Sequence, residues 1–335
     1  MVPSHLKYNF LDLLTLRQLE AQLWIEDVQQ LIDNERSQVS RNSEEFNWKD
    51  YYTLESIYAW MDSLAEKYPN IVTSLIGGQS YEGREIRGVK LSFGPGRKGV
   101  FIEGGIHARE WISPATVTYL LNELLTSTNS TIREVVESRD WYIFPSVNPD
   151  GYVYTLKDRM WRKTRQPYGT CYGADPNRNW NYHWMDGGAS DNPCSQTFAG
   201  RAPFSEIEIK TLADYISGIA DNLDTVLTFH SYSQLFLIPF GHRGMEVPEN
   251  NEELHRIGKA AADSLRVRHG TSYGVGNIPQ VLFQFTSGST VDWTKGTYRH
   301  ICIVFAYELR DKGRYGFVLP PEQIIPTGEE TLDSL

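Results

Sequence analysis

The segment Gly104-Gly105-Ile106-His107-Ala108-Arg109-Glu110-Trp111 sets an imidazole and a carboxylate three positions apart, directly after the apolar run Val100-Phe101-Ile102. Nitrogen and oxygen donors of this kind suit zinc, and a close pair fixes half of its tetrahedron at small entropic cost. Alone, an HxxE pair is weak evidence, because chance supplies many. Two further groups strengthen it. His230 closes the run Thr225-Val226-Leu227-Thr228-Phe229, and Glu308 closes Ile303-Val304-Phe305-Ala306-Tyr307. Two histidines and a carboxylate complete a three-ligand zinc site with an open fourth position for water. A second carboxylate can then take a proton from that water. The competing reading of His230 is a core histidine with satisfied hydrogen bonds, and of Glu308 an ion pair with Arg310. A basic group stands beside these candidates. Trp161-Arg162-Lys163-Thr164-Arg165 and Asp175-Pro176-Asn177-Arg178-Asn179-Trp180 set guanidinium and amide donors next to aromatics. Such donors clamp a carboxylate or steady a developing oxyanion; the plain alternative is an arginine stacked on a surface tryptophan.

These residues need a frame that brings distant segments together. Apolar runs predict strands at Ile71–Ile76, Glu85–Ser92, Gly99–Glu103, Trp141–Val147, Thr225–Phe229, Leu235–Phe240 and Ile301–Tyr307. Helical spacing predicts helices at Thr53–Lys67, Pro114–Leu125, Glu206–Ile219 and Glu252–Val267. Ser113 before Pro114 reads as a helix start. Ser205-Glu206-Ile207-Glu208 and Thr327-Gly328-Glu329-Glu330 read as capping boxes. The alternation argues an α/β domain with helices on both faces of a largely buried sheet. In such sheets ligands sit beyond the carboxyl ends of the strands, which is where His107, Glu110, His230 and Glu308 fall.

Composition narrows the class. The chain has 335 residues, 40% hydrophobic and 22% charged, with nine tryptophans that call for a large buried core. A net charge of −10 disfavours a nucleic-acid or anionic-membrane partner. No apolar run approaches the length of a membrane-spanning helix, and MVPSHLKYNF lacks the pattern of a signal peptide. Of three cysteines, Cys171 and Cys194 lie in polar, loop-like sequence and read as a disulfide, against the alternative of two unpaired loop thiols. Cys302 lies in an apolar run and reads as a buried free thiol. The sequon Asn129-Ser130-Thr131 leans, like the cysteine pair, towards an oxidising secretory compartment. Residues 34–45 are polar and linker-like, with Arg36 and Arg41 open to a trypsin-like protease; a plain solvated linker fits equally well.

From about Phe46 to its end the chain resembles the zinc metallocarboxypeptidases of the pancreatic carboxypeptidase A/B type, in a form similar to arthropod digestive members. The motifs that carry the resemblance are GGIHAREW, SVNPDGY, WRKTR, DPNRNW, TFHSYSQ, STVDW and ELRDKGRYGF. It implies a central mixed, twisted sheet of about eight strands covered by helices on both faces, with 42–335 as the catalytic domain and 1–41 as a partial activation segment and connecting helix. It implies one Zn2+ per chain on His107, Glu110 and His230, with Asp175 behind His107. Glu308 falls on the general base and Arg162 on the electrophile that stabilises the tetrahedral oxyanion. Asn177 and Arg178 fall on the clamp for the substrate's terminal carboxylate. Arg109, Ser231 and Tyr232 fall on neighbouring subsites, and Cys171 and Cys194 on the family's disulfide. The implied activity is release of the C-terminal residue from peptides and proteins, by a secreted monomer cut from a zymogen near Arg41 by a trypsin-like protease. Val291 falls where basic-specific relatives carry an acid; an apolar floor cannot neutralise a buried lysine or arginine end, so apolar or aromatic C-terminal residues are expected.

The chain also departs from that pattern. The family's mobile tyrosine is missing from Gln280-Val281-Leu282-Phe283-Gln284-Phe285-Thr286-Ser287-Gly288. Phe283 or Gln284 takes its place, depending on the alignment. Ala21–Ile25 resembles the last strand of the prosegment and Asp27–Arg36 its connecting helix. Both ends are short for the family, which predicts lower stability. The altered lid and short ends leave a second reading, a zinc-retaining binding or regulatory protein with weak or no turnover.

Overall fold

The computed structural model describes residues 2, 6–36 and 46–335. Its strands are β1 (Val72–Gln79), β2 (Glu85–Leu91), β3 (Gly99–Gly104), β4 (Asp140–Phe144), β5 (Pro167–Tyr168), β6 (Cys171–Tyr172), β7 (Leu223–Ser231), β8 (Leu235–Ile238), β9 (Gly274–Asn277) and β10 (Ile303–Leu309). The helices are α1 (Lys7–Leu16), α2 (Val28–Arg36), α3 (Leu54–Lys67), α4 (Ile112–Thr126), α5 (Ser130–Glu137), α6 (Pro149–Tyr154), α7 (Ile207–Ile219), α8 (Asn251–His269), α9 (Ile278–Leu282), α10 (Thr290–Thr297) and α11 (Ile324–Leu332). Eight strands form one mixed sheet in the order β1-β2-β4-β3-β7-β10-β8-β9, and β5 pairs with β6 in a separate ribbon. The centre, β4-β3-β7-β10, is parallel, while β1, β2 and β8 join antiparallel. Parallel strands need cover on both faces, which is why their sequences are near-continuous apolar runs.

Side chains alternate between two cores. Val100 and Ile102 of β3 join Leu227 and Phe229 of β7 and Phe305 and Tyr307 of β10, under α3, α4, α8 and α11. Phe101, Val226, Val304 and Ala306 join the opposite core, under α7, α9 and α10. The predicted strands and long helices all form, with ends shifted by a few residues. β5, β6, β9, α1, α5, α6, α9 and α10 were not expected; most are short and lack a clear apolar period.

Three predicted caps are wrong, and each polar group has other work. α4 begins at Ile112, so Ser113 lies inside its first turn. Its hydroxyl donates to the Phe229 carbonyl at 2.6 Å and accepts from the Gly105 amide at 2.9 Å. One side chain thereby ties the segments that carry His107 and His230. Glu208 accepts from the Tyr81 amide at 3.0 Å instead of capping α7. α11 begins at Ile324, and Glu330 takes Arg310 at 2.8 Å. Gly105 has φ +67, a left-handed turn that lets the chain leave β3 and bring His107 back over the strand end.

Cys171 and Cys194 form a disulfide, with Cα atoms 5.3 Å apart. Cys302 is exposed rather than buried, because β10 begins one residue later and leaves it in the preceding turn. Among the described residues, no helix is long and apolar enough to cross a membrane. Ala21–Ile25, which resembled a strand, is irregular, whereas α2 confirms the helix expected over Asp27–Arg36. Arg41 and most of the linker lie outside the described residues.

Candidate active site

His107 and Glu110 follow β3, His230 and Ser231 end β7, and Glu308 lies on β10 in register with His230. All five residues therefore meet at the carboxyl edge of the parallel centre. His107 Nδ1 lies 2.9 Å from Glu110 Oε1, and His230 Nδ1 lies 3.1 Å from His107 Nδ1 and 3.3 Å from Glu110 Oε2. Without an ion, a proton on His230 Nδ1 bridges it to His107 Nδ1 and Glu110 Oε2; a cation in that proton's place meets all three donors at once. A tetrahedral zinc with bonds of about 2.0–2.1 Å holds its ligand atoms about 3.3 Å apart, so the two histidine nitrogens at 3.1 Å, with one Glu110 oxygen close to each of them, fit the ion. The two rings are tilted by 53°, so their planes intersect and in-plane lone pairs can meet at one ion.

The surrounding groups fix the donors. His107 Nε2 meets Asp175 Oδ1 at 3.1 Å, an arrangement that sets the tautomer with Nδ1 bare and strengthens it as a ligand. Ser231 N donates to Glu110 Oε2 at 3.1 Å. Burial lowers the His107 pKa, with Arg162 adding to it, which keeps the ring neutral. Burial opposes charge on Glu110 and Asp175, but the histidines outweigh it at Glu110, and Arg162 and His107 outweigh it at Asp175, so both stay ionised. Burial also opposes a proton on His230, yet its hydrogen bond to Glu110 and the nearby carboxylates raise its pKa. The negative field that favours an imidazolium there favours a divalent cation equally. Burial pushes the Glu308 carboxyl up to about 8, opposed by His230 and reinforced by Glu110. Glu308 does not pair with Arg310, which is held by Glu330.

The site opens into a cavity of about 300 Å³ lined by His107, Glu110, Arg162, Asn177, Arg178, His230, Ser231, Tyr232, Gln284, Val291 and Glu308, among others. Arg162 sends Nε and Nη2 to Asp175 Oδ2 at 3.0 and 2.8 Å and keeps Nη1 3.7 Å from Glu110 Oε1. Arg178 is anchored by the Gly188 and Asn177 carbonyls, both at 2.9 Å. Asn177 accepts from the Thr290 amide at 3.0 Å through Oδ1, which leaves its NH2 as the free donor. Val291 joins Leu237, Ile278, Leu282 and Ala306 in the apolar part of the wall. Arg109 stands behind the wall, its guanidinium 4.1 Å over the ring of Phe317, which does line the cavity. Burial, then the charge of Arg162, lowers its pKa to about 10.

Phe283 is a correction. It ends α9 in a left-handed conformation and is 90% exposed, turned away from the cavity that Gln284 lines. Sequence reasoning also missed Glu103 and Thr228. Thr228 lines the cavity, and Glu103 is its neighbour on β3, fully buried. A charged residue inside an otherwise apolar strand was the available signal.

One other cluster has the right residue types. His183, Asp186 and His242 offer ligand atoms within 4.8 Å of one another. Their imidazoles stack face to face, 3.7 Å apart and 6° from parallel. In-plane lone pairs on parallel rings cannot aim at one ion.

The comparisons with known proteins agree with this geometry. A family model described as "Zinc carboxypeptidase" matches residues 57–334. Among relatives, "Zinc carboxypeptidase A 1" of Anopheles gambiae is 49% identical, with 100% of this chain and 78% of that one aligned. "Zinc carboxypeptidase" of Simulium vittatum is 54% identical over 85% of this chain and 94% of its own length. Among solved structures, thrombin activatable fibrinolysis inhibitor superposes with a TM-score of 0.91 at 32% identity, covering 99% of this chain and 85% of that one.

Proposed function

The chain belongs to the zinc carboxypeptidase family and is a zinc-dependent exopeptidase acting on peptide C-termini; from that premise we propose the role of each residue. His107, Glu110 and His230 hold one zinc ion, and Asp175 orients His107. When bound, the ion acidifies a water and polarises the scissile carbonyl. Glu308 takes the proton from the attacking water and returns it to the departing amine; burial, which raises its affinity for that proton, suits both halves of the task. Arg162 donates through Nη1 to the developing oxyanion. Arg178 and the Asn177 amide bind the terminal carboxylate, which makes the site selective for chain ends. Ser231, Tyr232 and Gln284 contact the peptide along the cavity, and Arg109 braces Phe317 beside them. Gln284, standing where the family's tyrosine is missing, brings an amide that both donates and accepts.

The observation that carries this reading is the triangle of His107, Glu110 and His230 atoms at 2.9–3.3 Å, with Glu308 in register beside it. Nothing favours the alternative of a zinc-retaining protein without turnover, since the base, the electrophile and the ligand atoms are all present. The aliphatic wall around Val291 supports a preference for apolar or aromatic C-terminal residues. Blocked dipeptides ending in Phe and Arg test it, with and without chelator. Chelator-sensitive release of Phe faster than Arg is expected; faster release of Arg would reject the preference.

Residues 1–41 act in this reading as part of an activation segment, with 42–335 as the catalytic domain. Support comes from the buried ion pair between Glu35 of α2 and Arg159, whose guanidinium also donates to the carbonyls of Arg109 and Phe317. Cleavage of the linker near Arg41 by a trypsin-like protease would release the segment. The disulfide supports secretion. We take the enzyme to act as a monomer.

A further inference from the structure

The floor of the cavity contains a polar feature that the catalytic roles leave unused. Four residues stand in one row across the sheet: Glu103 on β3, Thr228 on β7, Ala306 on β10 and Leu237 on β8, each in register with the next. Register neighbours project to the same face, and Thr228, Ala306 and Leu237 all line the cavity. Glu103 ends the row just behind Thr228. It is 0% exposed, neither carboxylate oxygen makes a hydrogen bond of ordinary geometry, although the Thr290 hydroxyl stands close enough to lower its pKa, and Thr228 Oγ1 is buried and unpartnered as well. Buried acceptors without donors are costly and uncommon in folded proteins. An unpaired carboxylate beside a hydroxyl that has an acceptor site to spare, under a ligand cavity, leaves a place for a donor that arrives with the ligand. The aliphatic part of the wall is Leu237, Ile278, Leu282, Val291 and Ala306, and Gln284, Thr286 and Ser289 are the other polar side chains nearby. It suits the body of a hydrophobic side chain, and Thr228 is the lining hydroxyl that stands in register with the buried acid.

We propose that Glu103 and Thr228 form a polar base to the side-chain pocket, which selects, among residues that fill an apolar pocket, those whose tip carries a hydrogen-bond donor, so that a C-terminal Tyr is preferred to a C-terminal Phe. The inference rests on the reading that this cavity receives the C-terminal side chain. Thr228 touches the substrate: its hydroxyl both donates and accepts, so it takes the substrate's O–H while directing its own proton towards Glu103, directly or across one water. Glu103 is thus a positioning residue. A pocket built to pair a hydroxyl rejects the analogue that lacks it, because its own polar groups then stay unpaired.

The test measures kcat/KM for matched blocked peptides ending in Tyr, Phe and Arg, in the wild type and in the variants Thr228→Val and Glu103→Met. The wild type should favour Tyr over Phe by about five- to tenfold, the worth of one net hydrogen bond. The ratio should fall towards one in both variants. General damage to the fold lowers both rates and leaves their ratio alone, so the ratio reports the proposed contact. If Glu103→Met fails to fold, Thr228→Val and the wild-type ratio still decide. A wild-type ratio near one, or a ratio kept in the variants, overturns the proposal. The Arg peptide separates this from the reading beneath it. Arg fastest in the wild type would remove the apolar preference; the polar base survives that result only if the Arg advantage disappears in Glu103→Met, and falls if it persists.

Discussion

Two clusters in this molecule are built from the same parts, two histidines and a carboxylate, and only one is fit to hold a metal. In His107, Glu110 and His230 the ligand atoms lie 2.9–3.3 Å apart and the rings are tilted by 53°. In His183, Asp186 and His242 the carboxylate sits 3.3 and 3.8 Å from the two rings, which are stacked 6° from parallel. The difference comes from what stands behind the donors. His107 is turned by Asp175, Glu110 is pinned by the Ser231 amide, and Ser113 ties the Gly105 turn to the end of β7. His242 Nδ1 instead faces the Gly244 amide at 3.2 Å, while His183 is substantially exposed. Residue type makes a cluster possible, and the outer contacts decide whether the lone pairs converge.

The largest expected contrast comes from deleting one ring in each cluster. His230→Ala should lose its zinc and fall to the activity of chelator-treated protein, whereas His183→Ala should keep one zinc per chain and wild-type turnover. Zinc content and peptide release measured on both would break the contrast if the second variant also lost metal. Next, Glu308→Gln should cut kcat by about 10²–10⁴-fold while metal content stays at one, separating the base from the ligands; lost zinc would place Glu308 among the ligands instead. Asp175→Asn should weaken metal affinity or activity by about 10–100-fold, and competition with a chelator reads this directly.

The smallest effect concerns the second cluster alone. Burial, reinforced by the stacked His183, lowers the His242 pKa below its ordinary value near 6.5. Below that value the unfolded chain binds a proton that the folded one refuses, so His242 subtracts stability as pH falls from 6.5 towards its folded pKa and contributes nothing above. The thermal midpoint of His242→Asn should therefore decline less than that of the wild type between pH 7 and pH 5. Parallel curves would remove this account of His242.

Much of the first cluster was legible in the chain because each ligand stands at the end of an apolar run, and a parallel sheet gathers such ends along one edge. A sheet with helices on both faces followed from the same runs, and its count of about eight strands from the family resemblance. Less legible was anything set by three-dimensional partners. Ser113 read as a helix cap, but its hydroxyl is recruited by the Gly105 turn and by the end of β7. Glu208 and Glu330 read as capping-box acids and are drawn to Tyr81 and Arg310. β9, with the sequence Gly274-Val275-Gly276-Asn277, has no apolar period and forms because β8 offers it an edge. Phe283 and Gln284 could not be told apart until the left-handed end of α9 turned one outwards. The His183 cluster shows the reverse: a sequence can supply metal-ligating residues that folding then points away from a common centre.

The most direct test is diffraction from crystals of the zinc-bound protein, with data collected at the zinc absorption edge. The account predicts one anomalous peak, within about 2.0–2.2 Å of His107 Nδ1, His230 Nδ1 and a Glu110 oxygen, facing the Glu308 carboxylate. A peak between His183 and His242, or no peak at the first site in a chelator-sensitive active enzyme, would contradict it.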